Sequence, residues 1–556
     1  MLRLARLIVA LPLSFTLACS HNPLSLGDGG DGSDGGDGSD GGDAGDTDGG
    51  ESPAICGNGV IEIGEFCDTG PQDTCHVCVV NEVGAGVTFV GEHAGDESGY
   101  VVGTADIDGD GRDDVILTAP GNDDAGEDAG KTYVITATTL DAHDTSSPFE
   151  LADATWTLTG EVAGDRSGAG LAAGGDYNFD GHGDLIIGAP GANGVVAPEP
   201  GRVYLISGAS LAAQPVGASL SLATASVIID GEESDRLGER IAWAGDVDGG
   251  GGDDFLFGMP GKHESGTSSG AVHLAVGEWL AGAAPGVLWK SYRGTGYLFF
   301  GAEGDHLGWD PRPAGDVDGD GLADLLLGGP ENSEAAAAGG RAYLITGQTI
   351  ASVWPHGSYA AWLYAHVTFS GSTGGAHVGQ SLASAGDVDG DGLSDLLWSI
   401  GYDAPLDSSA GRSFLFLGGD LPAAPESATL DENDATYGFA GETLLDFSGA
   451  SLSMTGDVDG DGLADVLISA HGSNEFATNA GKLSLFFASD LSQSPEDSMT
   501  SLGDASVTLL GPTPDLFLAR EHATGDIDGD GYSDILTSSP RANDDAGASY
   551  LVYSPY

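Results

Sequence analysis

Asp316-Val317-Asp318-Gly319-Asp320-Gly321-Leu322-Ala323-Asp324 places carboxylates at the first, third, fifth and ninth positions of a nine-residue run. Their oxygens can converge on one point, and the backbone carbonyl of the seventh residue, Leu322, can join them. Gly319 and Gly321 permit the tight turn, since glycine tolerates positive φ without a Cβ clash. Without a cation the run repels itself: two carboxylates about 4 Å apart cost roughly 4 kcal/mol at a near-surface dielectric. An all-oxygen donor set excludes the softer metals zinc and copper. A flexible, ligand-rich loop favours calcium over magnesium.

The run recurs at Asp106, Asp176, Asp246, Asp316, Asp387, Asp457 and Asp526, with successive starts 70, 70, 70, 71, 70 and 69 residues apart. A solvated acidic turn can arise once by chance. A repeat of near-constant length instead means one supersecondary unit, copied and stacked. An EF-hand opens with the same letters but needs a glutamate at its twelfth place, between two helices. Here the twelfth places are Leu117, Ile187, Phe257, Leu327, Trp398, Ile468 and Thr537. Most sit in short apolar runs, so the loop closes at its ninth residue and feeds a β-strand.

The first copy offers Asp106, Asp108, Asp110 and Asp114 with the carbonyl of Arg112. The second offers Asp176, Asn178, Asp180 and Asp184 with that of His182, Asn178 supplying a neutral oxygen. The fourth offers Asp316, Asp318, Asp320 and Asp324 with Leu322, and the fifth Asp387, Asp389, Asp391 and Asp395 with Leu393. The sixth offers Asp457, Asp459, Asp461 and Asp465 with Leu463, and the seventh Asp526, Asp528, Asp530 and Asp534 with Tyr532. The third departs: Gly250 replaces the fifth ligand and Asp253 stands displaced beside Asp254, leaving Asp246, Asp248 and Asp254 as a weak set. The expectation is about six Ca²⁺ sites and one poor one.

Each copy has the same surroundings. A short stretch such as Ser381–Gly386 precedes the loop, and a compact apolar run such as Leu325–Leu327 follows it. A Gly/Pro stop comes next, then a third strand opened by glycine, as at Gly340–Ile345, then a more alternating fourth run such as Ala154–Thr159. Four short strands divided by Gly, Pro and Asp turns make one antiparallel sheet. The second strand reads as buried on both faces. Helical periodicity is not evident beyond the N-terminal signal. Seven such sheets in series make an all-β, seven-bladed β-propeller. The last copy ends after its third strand, Ser549–Tyr553, while Val87–Val90 precedes the first copy without a blade of its own. Pairing the two would close the ring and remove two open edges.

With these elements the chain resembles the FG-GAP repeats that form the seven-bladed head of integrin α chains. Gly-Ala-Pro is literal at Gly188–Pro190 and approximate at Thr118–Pro120, Gly258–Pro260 and Ser538–Pro540. The Phe-Gly element stands as Leu237-Gly238, Leu307-Gly308 and Val378-Gly379, and is lost from other copies. The resemblance covers residues 84–556. It implies Ca²⁺ between the first and second strands of a blade, and ligand contacts on the opposite face. No inserted von Willebrand-type domain, stalk or C-terminal transmembrane helix is read in the sequence, so only the fold and the metal loops are carried over.

Residues 1–18 read as a secretory signal: two arginines, Arg3 and Arg6, then an apolar run to Ala18. The following Cys19 resembles a bacterial lipoprotein acceptor; the alternative is a plain secretory peptide. Residues 19–52 are expected to be a lipid-anchored, disordered tether, since Gly, Asp and Ser bury no apolar area. Within residues 53–82, Cys56, Cys67, Cys75 and Cys78 predict two disulfides stapling a mini-module, with a four-thiolate zinc site as the alternative.

The formal net charge is −69, from 17 Lys+Arg against 86 Asp+Glu. Nucleic acid and anionic membrane surfaces are therefore poor partners, and the expected membrane contact is the N-terminal anchor alone. Gly266-Thr267-Ser268-Ser269-Gly270 matches a nucleophile-elbow pattern but lacks the strand-turn-helix context that pattern needs. The leading expectation is a non-enzymatic, calcium-binding module on the bacterial envelope or cell surface. It would bind protein or glycan through the face opposite the aspartate loops. A secreted hydrolase and a structural envelope spacer are the alternatives.

Overall fold

Each repeat starts as two strands hinged on its aspartate loop. In the fourth repeat, Pro311–Gly315 pairs antiparallel with Asp324–Gly329, then come Arg341–Ile345 and Val367–Ser370 in the same sheet. The computed structural model describes Val77–Val79 and residues 86–555, apart from short stretches such as 193–199 and 402–409. Within it the seven repeats form seven blades, so the chain is a β-propeller. The first strands of neighbouring blades lie side by side around the axis, and Ala385 bridges to Met454 between blades five and six. The lipidation and linker expectations, with Cys56, Cys67 and Cys75, lie outside the described residues.

The second strands are buried along their whole length, as in Asp184–Ala189 and Asp395–Ile400. They sit mid-sheet with a blade packed on each face, which is why they read as unbroken apolar runs. The core lies between blades. Ile116, Val134 and Trp156 of the first blade pack on Leu185, Ile187 and Tyr204 of the second. Phe369 of the fourth packs among Trp398, Phe414 and Phe416 of the fifth. Burying each such side chain stabilises by about 1.5–3 kcal/mol.

The ring closes as the sequence implies. Gly86–Val90 pairs antiparallel with Ala548–Val552, giving the seventh blade its fourth strand. Phe89 there is fully buried.

Two features go beyond that reading. Each blade of four antiparallel strands gains a fifth at its outer edge, lent by a neighbour and running parallel to the fourth. Ala218–Ser221 of the second repeat covers Trp156–Thr159 of the first, and Ser358–Ala360 covers Gly296–Phe300. Phe149–Glu150 covers the closing strand, and Val77–Val79, which includes Cys78, covers Val507–Leu510. Pairing the outer edge in this way blunts it against edge-to-edge association. Second, the third-to-fourth connections carry one-turn helices such as Ala137–Asp141, Gly208–Ala212, Gly277–Ala281 and Gly347–Ser352. Thr136, Ser207 and Thr346 cap three of them through their hydroxyls. One turn is too short for a helical period to show in the sequence.

Candidate metal centres

The aspartates organise their loops through backbone N–H groups. In the fourth blade Asp316 accepts from Gly319 N at 2.7 Å and Gly321 N at 2.9 Å. Asp318 accepts from Asp320 N at 3.2 Å, and Asp320 from Leu322 N at 2.8 Å. Gly319 and Gly321 have φ of 76° and 88°, so the turn does require glycine. Asp324 is fully buried; it accepts from Val317 N at 2.9 Å and from Gly347 N, which opens the one-turn helix, at 2.8 Å. The ninth aspartate thus ties the loop to the third-to-fourth connection. Asp114, Asp184, Asp254, Asp395, Asp465 and Asp534 are buried in the same place. Burial pushes the carboxyls of Asp114, Asp324, Asp395, Asp465 and Asp534 up to about 7, and those of Asp184 and Asp254 to about 8.

The loops do converge their oxygens. Within 4.8 Å of one another lie ligand atoms of Asp106, Asp108 and Asp110, and of Asp316, Asp318 and Asp320. In the fifth and sixth blades the convergent sets are Asp387, Asp389 and Asp395, and Asp457, Asp459 and Asp465. Each set is all-oxygen and crowded with like charge, which suits a hard cation such as Ca²⁺.

The third blade also gathers Asp246, Asp248 and Asp254 within 4.8 Å. Its missing fifth carboxylate has a spatial replacement. A side chain built on Gly250 would run into the carboxylate of Glu278, in the helix Gly277–Ala281. The same place on the first blade's helix is held by Thr138, whose hydroxyl donates to Asp110 at 3.3 Å. Glu278 thus brings its charge to the loop from across the blade. Its Oε2 is buried without a hydrogen-bond partner, and burial together with Asp248 and Asp246 raises its carboxyl above the usual range. Asp253 is not a displaced ligand. It occupies the eighth place, as Asp113 does in the first loop, and its carboxylate accepts from Asp176 N at 2.8 Å.

Neighbouring loops are joined in a ring that sequence reading does not reveal. The eighth N–H of each loop donates to the first carbonyl of the preceding one: Gly183 to Asp106, Asp253 to Asp176, Ala323 to Asp246, Ser394 to Asp316, Ala464 to Asp387, Ser533 to Asp457 and Asp113 to Asp526. The seventh side chain packs over the fourth-position glycine of that preceding loop. His182 covers Gly109, Leu322 Gly249, Leu393 Gly319, Leu463 Gly390, Tyr532 Gly460 and Arg112 Gly529. At one interface the sizes are exchanged: Phe179 stands at the fourth place and Gly252 at the seventh of the next loop, with the Phe179 ring where a Gly252 side chain would go. Phe179 keeps the left-handed turn at φ 61°, a strained conformation for a bulky residue.

The opposite face carries the second-to-third strand loops and the inter-blade turns. There Ser98, Ser167 and Ser448 bridge to the glycine that opens a third strand, or in Ser448's case hydrogen-bond nearby, as Leu237, Leu307 and Val378 do. Gly99, Gly168, Gly238, Gly308, Gly379 and Gly449 follow with φ of 80–100°. These three copies, from which the Phe-Gly element is lost, therefore keep its backbone with serine in the buried place, and another keeps it as Leu518-Ala519.

The FG-GAP repeat family matches residues 98–135, 167–206, 448–486 and 523–552. Human phosphatidylinositol-glycan-specific phospholipase D is 31% identical over 172 residues, 28% of this chain and 18% of that protein. Integrin alpha-PS5 of Drosophila melanogaster is 32% identical over 174 residues, 31% of this chain and 16% of that one. The chain thus spans less than a fifth of the length of these relatives. Among solved structures, the crystal structure of BBS1N in complex with ARL6DN, soaked with mercury, aligns with a TM-score of 0.36 and 8% identity, over 84% of this chain and 97% of that one. The chain is a seven-bladed β-propeller with four matches to the FG-GAP repeat, similar in sequence to integrin α chains and to phosphatidylinositol-glycan-specific phospholipase D.

Proposed function

We propose that this protein is a calcium-loaded binding module of the cell envelope, lipid-anchored near its N-terminus, that engages protein or glycan through the face opposite the aspartate loops. The observation that carries the reading is the division of labour between the faces. One face repeats an acidic, oxygen-rich loop in every blade and joins the loops in a ring. The other carries loops that differ from blade to blade, as binding loops on a rigid scaffold do. Exposed apolar side chains stand there on the loops around the sixth blade: Leu444 and Leu445 in one turn and Phe476 in another, each about half exposed. Calcium would supply charge neutralisation at the loops and so hold the scaffold rigid. The test is binding of the full-length protein to immobilised glycans and matrix proteins, in calcium and in EDTA. A defined ligand bound in calcium, and lost with Phe476→Asp at unchanged melting temperature, is the expected result. Failure of every ligand, or binding indifferent to both changes, would remove the proposal.

The similarity to phosphatidylinositol-glycan-specific phospholipase D favours a second reading, a hydrolase acting on lipid-linked glycans. Release of a glycan-anchored reporter from membranes by the purified protein would put that reading first.

A further inference from the structure

Along the axis, two contiguous cavities of about 350 and 170 Å³ share Arg240, Arg520 and Glu521 in their walls. The larger opens among residues preceding the first strands, on the face away from the aspartate loops, and includes Trp309 and His471. The smaller runs between first strands and includes Arg312 and His522.

The charge here contrasts with the rest of the chain. Elsewhere most cations are matched closely: Lys131 lies between Glu92 and Asp124, Lys482 between Glu442 and Glu475, and Arg202 between Glu161 and Asp230, while Arg541 lies over the Phe517 ring at 5.4 Å. Arg312 is likewise paired with Asp310 at 2.9 Å. Among the described residues, Arg240 and Arg520 have no carboxylate within the 4.0 Å of an ion pair. Arg240 is instead held over the Trp309 ring at 5.5 Å. A protein with 86 acidic side chains has left two guanidinium groups free at one cavity.

A second observation points the same way. His522 is 8% exposed, and neither ring nitrogen has a hydrogen-bond partner. His471, stacked on Phe447 at 5.5 Å, has an unpartnered Nδ1. Buried polar groups without partners are uncommon, because each costs about 1–3 kcal/mol. Burial first, then Arg520 and Arg541 for His471 and Arg312 for His522, holds both rings at about 4, so both are neutral at pH 7 and each carries one N–H donor. Three carboxylates line the smaller cavity: Glu239 and Asp310 are paired with Arg236 and Arg312, and Glu521 is the opposing charge without an ion pair. Burial raises its carboxyl, against Arg312, Arg520 and Arg240, which lower it.

From the two unpaired arginines and the unpartnered imidazoles we propose that the axial cavity binds an oxyanion, the sulfate or carboxylate group of an acidic sugar. Arg240 and Arg520 supply the charge-assisted hydrogen bonds and His471 a neutral donor at the mouth. The site goes beyond the binding role proposed above and stands whether or not that role holds, since it needs neither the outer loops nor a particular partner.

The test is calorimetric titration of the full-length protein in calcium with inorganic sulfate, inorganic phosphate, glucuronate and a sulfated disaccharide. Saturable one-to-one binding of at least one is expected, weakened about tenfold by Arg240→Gln or Arg520→Gln, as loss of a charged hydrogen bond predicts. Arg166→Gln, whose partner is Glu97 at 3.0 Å, should leave it unchanged. Tighter binding of the sulfated disaccharide than of free sulfate identifies a sugar-borne group; equal binding identifies the free ion, and both support the site. No saturable binding of any of the four, or unchanged affinity in Arg520→Gln, overturns it. Should Arg240→Gln fail to fold, Arg520→Gln carries the test on an exposed side chain. The imidazole resonances of His471 and His522 in the wild-type protein must also move on titration, and static resonances would overturn the proposal independently.

Discussion

The loop at Asp316 and the loop at Asp246 descend from one pattern but reach a similar charge by different routes. The first carries its carboxylates within nine residues. The second has lost the fifth and receives Glu278 from a helix 24 residues beyond Asp254, while its seventh place, Gly252, yields to Phe179 of the preceding loop. The two irregular copies, at Asp176 and Asp246, are therefore adjacent halves of one exchanged interface. The constraint on this protein falls on the volume and charge between neighbouring loops, and less on any one position.

The largest effect should come from treating all loops alike. Chelation should lower the melting temperature and millimolar Ca²⁺ restore it, because a ligand bound only to the folded state stabilises by mass action. The sign with pH follows from the ninth aspartates. Their folded values near 7 exceed the unfolded value of about 3.9, so their ionisation destabilises the metal-free fold. In EDTA stability should be present below about pH 4 and fall as pH rises toward 7, whereas calcium should counter that loss. The gap between calcium and EDTA melts should widen across this window. A gap independent of pH would contradict the role given to these carboxylates.

Next in size is the regular loop. Asp320→Ala should cost about 2.7 kcal/mol if one site is lost at a calcium concentration a hundredfold above its Kd. In EDTA the same change relieves repulsion and should be neutral or mildly stabilising. Counting ligands in the sequence makes Asp248→Ala the weaker of the two. Thermal melts of both, with and without calcium, rank the loops, and equal responses would show that Glu278 fully restores the third.

The exchanged interface predicts a coupled pair. Gly252→Leu alone should destabilise by about 1–3 kcal/mol through overpacking against Phe179. Adding Phe179→Gly should recover most of that loss and return the interface to the arrangement of its six counterparts. Additive losses in a double-mutant cycle would break the comparison.

The smallest effect should be that of Glu278→Gln. It keeps the shape of the side chain and removes its charge, so only the calcium response of the third loop should fall, by less than for Asp320→Ala. Calcium stoichiometry by equilibrium dialysis checks this directly, and a full complement of ions in Glu278→Gln would remove Glu278 from the site.

The repeat, the strand order and the convergent aspartates were legible because they are local. A 70-residue period and a nine-residue loop need no knowledge of what folds against what. The lent fifth strands were not, because Ala218–Ser221 and Phe149–Glu150 are two to four residues long and half-exposed. Glu278 gave no signal either: its partner Gly250 lies 28 residues back, and only the folded blade brings them together. The exchange of Phe179 with Gly252 could have been found by aligning the seven loops and asking which large residue lacks a glycine opposite. Arg240 and Arg520 each stand six residues ahead of the first aspartate of their loop, four repeats apart, yet only the closed ring shows that they face one cavity. The Phe-Gly element misled in the other direction, since Ser98, Ser167 and Ser448 keep its backbone without its letters.

The closing strand also decides how the ring responds to force. A pull on residues ahead of Val77 reaches first the three residues Val77–Val79 on the sixth blade, then the five of Gly86–Val90 in the seventh. The next strand along the chain, Val102–Ala105, belongs to a complete blade with interfaces on both sides. Load applied from the N-terminal side therefore meets a clasp before it meets a blade. Under tension the ring should open at this seam while the remaining blades stay folded, and close again when Phe89 returns to its place beside Ser549.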